Sequence, residues 1–190
     1  MTQTERPVPS VCVSDTVDKI RQVLSKLGRD EDIRSARGQH WTREIMRQIA
    51  DVTEDAKFRD VFPFGKSIGP SATGKSRGGE WLYDLCWLEY VAPDSDVIVG
   101  MPLALESEWG NDTEILEDFQ KLLVSRAALR VMIFGERNRS TECTKKTLCK
   151  QIESYRDGDV DDRYLLAAYD AGRFVFFLLD GNGRTLETTE

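Results

Sequence analysis

A chain of 190 residues, 40% hydrophobic and 31% charged, has the composition of a globular protein long enough to bury one sizeable core. No apolar run approaches the roughly 20 residues that span a bilayer, and a net charge of −7 argues against coating of duplex nucleic acid, which needs many Lys and Arg contacts to phosphate. Four cysteines without a CxxC pair and a single histidine argue against a Cys/His zinc site and a disulfide framework, so a reducing, cytoplasmic setting is expected.

Residues 1–13 are polar, carry Pro7 and Pro9 and lack a secretory apolar stretch. They are expected to form a flexible arm ahead of one α/β domain over 14–185. Ser14–Leu27 predicts a helix. Ser14 or Asp15 caps it, Val17, Ile20, Leu24 and Leu27 form one stripe, and Gly28 closes it. Asp30–Asp32 can open a second helix, strongest over His40–Glu54, where Trp41, Ile45, Ile49 and Val52 share a side. His40 stands alone, with no nucleophile elbow in the chain, and is read as structural.

Val61–Phe64 can add an early strand before a loop rich in Gly, Pro and Ser. Within it Gly69–Ser76, GPSATGKS, fits the P-loop pattern letter for letter. A P-loop must open a helix, whereas Arg77–Gly78–Gly79 and a strand-period segment follow here, and Pro70 sits inside the loop. A flexible loop is therefore favoured over a nucleotide site, although Lys66, Lys75 and Arg77 could still touch phosphates beside the following hairpin.

That hairpin carries the chemistry. In Trp81–Tyr90, Trp81, Tyr83, Leu85 and Trp87 alternate with Leu82, Asp84, Cys86 and Leu88, which assigns the two sets to opposite strand faces. The turn VAPDSD leads to a second strand in which Ala104, Glu106 and Glu108 share a face. Acids aimed into an apolar layer are costly unless paired or bound to metal. Asp84, Glu106 and Glu108 are thus candidate metal or catalytic groups. The alternatives are paired structural carboxylates and solvent-exposed strand ends.

Asn111, Asp112 and Thr113 offer caps for a helix running to about Leu129, with Ile115, Leu116, Phe119, Leu122, Leu123 and Arg126 on its buried side. This spacing sets Lys121 nearly opposite that side. Val131–Phe134 is a short apolar run without alternation, the mark of a strand covered on both faces. Thr141–Tyr155 predicts a helix and Asp157–Asp162 a solvated acidic turn. Tyr164–Tyr169 and Arg173–Leu179 predict strands joined at Asp170–Gly172, and the residues after Gly183 are expected to fray. The tryptophans and the Phe174–Phe177 run are read as core. The order predicts an α/β fold with a mixed central sheet flanked by helices, an antiparallel hairpin feeding a helical crossover to a further strand.

From about Arg43 to Phe134, half of the chain, the sequence resembles the PD-(D/E)XK, or restriction-endonuclease-like, nuclease superfamily. That core runs helix, three strands in hairpin order, helix, parallel strand. Asp84 matches the motif aspartate on the second strand and Glu106 the (D/E) position on the third. Glu108 stands where the family has lysine. Some members carry the lysine on the following helix, where Lys121 is the candidate, Gln120 resembles a helix glutamine of exonuclease-like members, and Glu44 resembles a first-helix acid.

The resemblance implies Mg²⁺- or Mn²⁺-dependent hydrolysis of nucleic-acid phosphodiesters. Asp84 and Glu106 would hold metal with the Ser107 carbonyl, Glu108 would be a third ligand or position water, and Lys121 would stabilise charge on the phosphate. Nucleic acid is then the expected partner, no membrane is, and a homodimer is allowed. The missing motif lysine and the acidic net charge point to the alternative, a catalytically inactive relative acting as a binding or interaction module.

Overall fold

A computed structural model of the chain describes residues 12–31, 39–52, 58–63, 82–92, 95, 97–135 and 140–190. Helix α1 spans Val13–Arg29 and α2 Gln39–Ala50; strands β1, β2 and β3 span Phe58–Pro63, Leu85–Tyr90 and Ile98–Glu108. Helix α3, Asp112–Val124, leads to β4, Leu129–Gly135, and α4, Thr141–Ser154, leads to β5, Arg163–Asp170. Strands β6, Arg173–Asp180, and β7, Thr185–Thr189, complete the chain.

One open sheet holds seven strands in chain order. The β3–β4 and β4–β5 pairs are parallel and every other pair is antiparallel. A parallel step needs a crossover, and crossovers are right-handed. Two such steps in one direction put α3 and α4 on the same face. Cys86, Leu88, Ala104, Met132, Phe134 and Leu166 pack under these helices. The other face would be bare without α1 and α2, which cover Leu85, Trp87, Leu103, Leu105, Val131 and Ile133. The sequence expectation of a mixed sheet with helices on both faces is what the chain builds. Strand β4, parallel to neighbours on both sides, is buried from Leu129 to Phe134, as its unbroken apolar run predicts. Each fully buried Leu, Ile or Phe side chain there contributes about 1.5–3 kcal/mol of transfer free energy.

Several expectations change in detail. Helix α1 starts one residue early, at Val13 after Cys12, and neither Ser14 nor Asp15 is its cap residue. Gly28 lies inside that helix rather than ending it. A Cβ there would sit 3.2 Å from Phe174 Cδ2, so the missing side chain lets the aromatic ring approach the backbone. Helix α3 stops at Val124, well short of Leu129, and Arg126 beyond it is exposed rather than buried. The chain must turn there so that Ala128 N–H can donate to Met101 O at the head of β4.

The tail does not fray. Strand β7 pairs with β6 through Thr189, and Arg21 Nη1 donates to Glu187 Oε2 at 2.8 Å, so the domain extends past residue 185. The β5–β6 turn is a two-residue connection in which Ala171 and Gly172 both have positive φ, 46° and 89°, the form that matches the twist of a tight hairpin. Asp162, expected in a solvated turn, is buried with Arg130 Nη1 3.1 Å away.

The P-loop-like stretch Gly69–Ser76, with Lys66 and Arg77, lies outside the described residues, as do residues 1–11 of the expected arm. All four cysteines are free thiols. Among the described residues no helix is long and apolar enough to cross a membrane.

Candidate functional site

The site forms where the ladder between β2 and β3 ends. The last paired residues are Leu85 and Leu105, whereas β3 continues beside β4 as far as Glu108 opposite Phe134. Beyond Leu105, the β2 side of β3 therefore needs other hydrogen-bond partners. Asp84 supplies one: its Oδ2 accepts the Ser107 N–H at 2.9 Å. Glu106 returns the contact, its Oε2 accepting the Asp84 N–H at 3.4 Å. The two acids thus stand where strand backbone would otherwise be.

Asp84 is reached through a bend over residues 82–84, not along an extended strand as the alternation predicts. From Leu85 to Leu88 the alternation holds, with Leu85 and Trp87 on the α1/α2 face and Cys86 and Leu88 on the α3/α4 face. The bend shifts the phase upstream. Tyr83 packs with Cys86 and Leu88, and Leu82 is exposed. Trp81 lies outside the described residues.

Glu106 points from β3 toward α3 and is 1% exposed. Its Oε1 has no hydrogen bond. Lys121 Nζ lies 3.6 Å from that oxygen, an ion-pair distance too long for a hydrogen bond. The lysine stands on the exposed side of α3, as its spacing predicts, but its long stem brings the ammonium back toward Glu106 on β3. Nζ also donates to Asp118 Oδ1, one turn earlier on the same helix, at 2.6 Å.

Glu108 is turned elsewhere. Its Oε1 accepts the Gly110 N–H, and a Cβ at Gly110 would run into the Glu108 and Glu114 carboxylates. Asn111 caps α3 with a full capping box to Glu114, which fixes where the helix starts and hence where Asp118 and Lys121 point. Gln120 is exposed. Glu44, on α2, accepts hydrogen bonds from Arg47 and Gln48 of its own helix.

The electrostatics follow from burial. Burial, then the charge of Asp118, pushes the Asp84 carboxyl up to about 6, against the Ser107 amide and Lys121. Burial, then the charge of Asp84, pushes Glu106 up to about 9, with Lys121 opposing. Glu108 is raised too, chiefly by burial and against the Gly110 amide. For Lys121, burial works downward, but the Asp118 hydrogen bond and the Glu106 charge more than offset it and its pKa is raised. The cluster holds more negative charge than one ammonium can balance.

Of the predicted residues, Asp84, Glu106 and Lys121 come together and Glu108 stays in its own turn. Asp118 joins them without having been singled out. Its signal was present in the sequence, an acid three residues before a candidate lysine on one helix.

A dication can be held by one or two carboxylates while keeping several waters. Among the described residues no group of three or more His, Cys, Asp or Glu is placed to hold a metal ion. The Asp84–Glu106 pair is the remaining candidate. Glu106 has a buried oxygen without a hydrogen bond, and the charge of Asp84 raises the cost of ionising it. Comparison with protein-family models gives no match for the chain, and comparison with curated proteins gives none either.

Proposed function

We propose that this protein is a metal-dependent phosphodiesterase acting on nucleic acid, with Asp84 and Glu106 as the carboxylates that hold Mg²⁺ or Mn²⁺. The observation that carries the reading is the buried Glu106 oxygen, without a hydrogen bond, beside Asp84 and under Lys121. The element order α2, β1–β2–β3, α3, β4 supports it, being the order the PD-(D/E)XK resemblance implies.

A bound dication would polarise the scissile phosphate and lower the pKa of a bound water. The chain supplies the rest. The Ser107 amide fixes the rotamer of Asp84, and the sheet fixes Glu106. Lys121 places a positive charge at the mouth of the site, where a phosphate oxygen gains negative charge during reaction. Its position on α3 replaces the lysine absent from residue 108.

A binding module of the same architecture is the second reading. It is favoured by the role of Asp84 and Glu106 as substitutes for the ended ladder, a purely structural use. Calorimetric titration with Mn²⁺, alongside cleavage of labelled single-stranded DNA, duplex DNA and RNA, separates the two. Catalysis requires Mn²⁺ binding and metal-dependent cleavage, both lost in Asp84→Ala. No cleavage of any of these substrates, with or without metal binding, leaves the binding module.

If catalysis is seen, Lys121→Met is expected to lower kcat about 10²-fold, the usual loss for one group aimed at developing charge. Mn²⁺ affinity should not fall. A variant that loses metal binding and retains kcat at saturating Mn²⁺ would place Lys121 outside the reaction.

A further inference from the structure

Lys121 has two acids within reach and does not sit evenly between them. Its Nζ is 2.6 Å from Asp118 Oδ1 and 3.6 Å from Glu106 Oε1. The Asp118 side chain is 18% exposed and that of Lys121 45%, so the acid of the pair is the more sheltered partner. The oxygen that the lysine fails to close upon is the buried Glu106 atom left without a hydrogen bond.

We propose that Asp118 is a positioning residue that tethers Lys121 away from Glu106 and thereby keeps Glu106 Oε1 open to a divalent cation. The proposal rests on the metal-site reading above and extends it to a residue outside the motif. Without the tether, Glu106 is the acid still at ion-pair distance from the ammonium, and a shorter contact with it is the favoured one. Lysine would then compete directly with the cation for the same oxygen. The negative charge of Asp118 also makes Asp84, Glu106 and Glu108 harder to ionise. A fourth acid in such a cluster is a cost unless it serves the arrangement.

The proposal predicts a sign pattern rather than a single loss. Titration with Mn²⁺ in about 0.15 M salt, where exposed charges are largely screened, compares four variants with the unmodified full chain. Asp118→Asn should weaken binding about tenfold, because Lys121 closes on Glu106. Lys121→Met should bind at least as tightly as the unmodified chain. The double variant should bind like Lys121→Met, since no lysine remains to compete; this coupling is the signature a ligand role for Asp118 cannot give. Asp118→Glu, still able to reach Lys121, should restore most of the affinity.

Two outcomes overturn the tether while leaving the metal site intact. One is an Asp118→Asn variant that binds Mn²⁺ unchanged. The other is a double variant as weak as Asp118→Asn, which would mean that Asp118 acts on the ion itself. Absence of Mn²⁺ binding by the unmodified chain overturns the site reading and the tether with it.

Discussion

Glu106→Gln is expected to stabilise the metal-free protein above neutral pH while removing its Mn²⁺ binding. Both acids of the pair hold protons more tightly in the folded chain than in the unfolded one. Asp84 moves from 3.8 to about 6 and Glu106 from 4.5 to about 9. A raised carboxyl favours the fold most below its unfolded value, and that contribution is lost as pH climbs through its folded value. The metal-free protein should therefore lose stability steadily from about pH 4 to about pH 9. Mn²⁺ should restore it, and restore more at pH 8 than at pH 5, because the ion binds the ionised pair.

Glutamine keeps an oxygen for the Asp84 amide and cannot ionise, so it removes the larger part of that slope. For a chain of this size each kcal/mol moves Tm by about 2–4 °C, and a gain of several degrees at pH 8 is the expected size. Thermal unfolding at pH 5 and pH 8, with and without 5–10 equivalents of Mn²⁺ (about a saturating excess for a micromolar site), measures it. A metal-free Tm that stays level between these pH values would remove the electrostatic basis of the site. So would a glutamine variant that loses stability equally at both. A gain from the glutamine variant would mean that Glu106 is kept at a cost to stability, as the proposed metal-binding role requires.

The sheet was legible in the sequence because its signals are local. The apolar run Val131–Phe134 announces a strand covered on both faces, and the caps at Asn111–Thr113 announce the helix that must precede it. Glu106 was legible for the same reason, since a strict two-residue period put it on a buried face with Ala104. What failed was set by distant partners. Tyr83 changes face because the β2 ladder begins only at Leu85. Strand β7, TLETT, carries no apolar alternation and is exposed along its length; its pairing to β6 alone makes it a strand. Helical phase put Lys121 on the exposed side of α3, where it is, but phase follows the direction of Cα–Cβ and does not register the reach of four methylenes that brings Nζ to 3.6 Å from Glu106 Oε1. Asp162 read as one more acid in a polar turn because its partner, Arg130, lies on another strand.

That last pair is buried on both sides, so a large stability effect is expected from it. Arg130 is 4% exposed on β4. Its Nε donates to Leu122 O at 3.0 Å, a carbonyl that also accepts the Ser125 N–H at the end of α3, and its Nη2 donates to Ser125 O at 2.8 Å. Nη1 meets Asp162 Oδ1 at 3.1 Å, and the guanidinium lies 5.0 Å from the centre of the Tyr164 ring. Asp162 in turn accepts the Asp159 N–H at 3.0 Å. One side chain thus joins α3, β4, β5 and the turn before β5. Asp162→Ala, which removes the counter-charge of a buried guanidinium, should cost about 3–5 kcal/mol, and Arg130→Met a similar amount because it removes the counter-charge facing Asp162 and one donor each to Leu122 O and Ser125 O. By the scaling used above, Tm falls by about 10 °C or more in each.

The paired replacement Arg130→Met/Asp162→Leu should lose far less than the sum of the two, since no charge is left buried alone. Additive losses would mean that the two residues act separately. Leu122 follows Lys121 directly, so the same variants should loosen the turn of α3 that carries the ammonium. Amide exchange over residues 119–124 should rise in Arg130→Met, and Mn²⁺ affinity should stay nearer to that of the unmodified chain, because Asp84 and Glu106 are held by the sheet rather than by the helix end. The site then divides by mechanical support: its acids ride on β3 and the bend before β2, and its lysine on a helix whose last turn depends on a buried arginine.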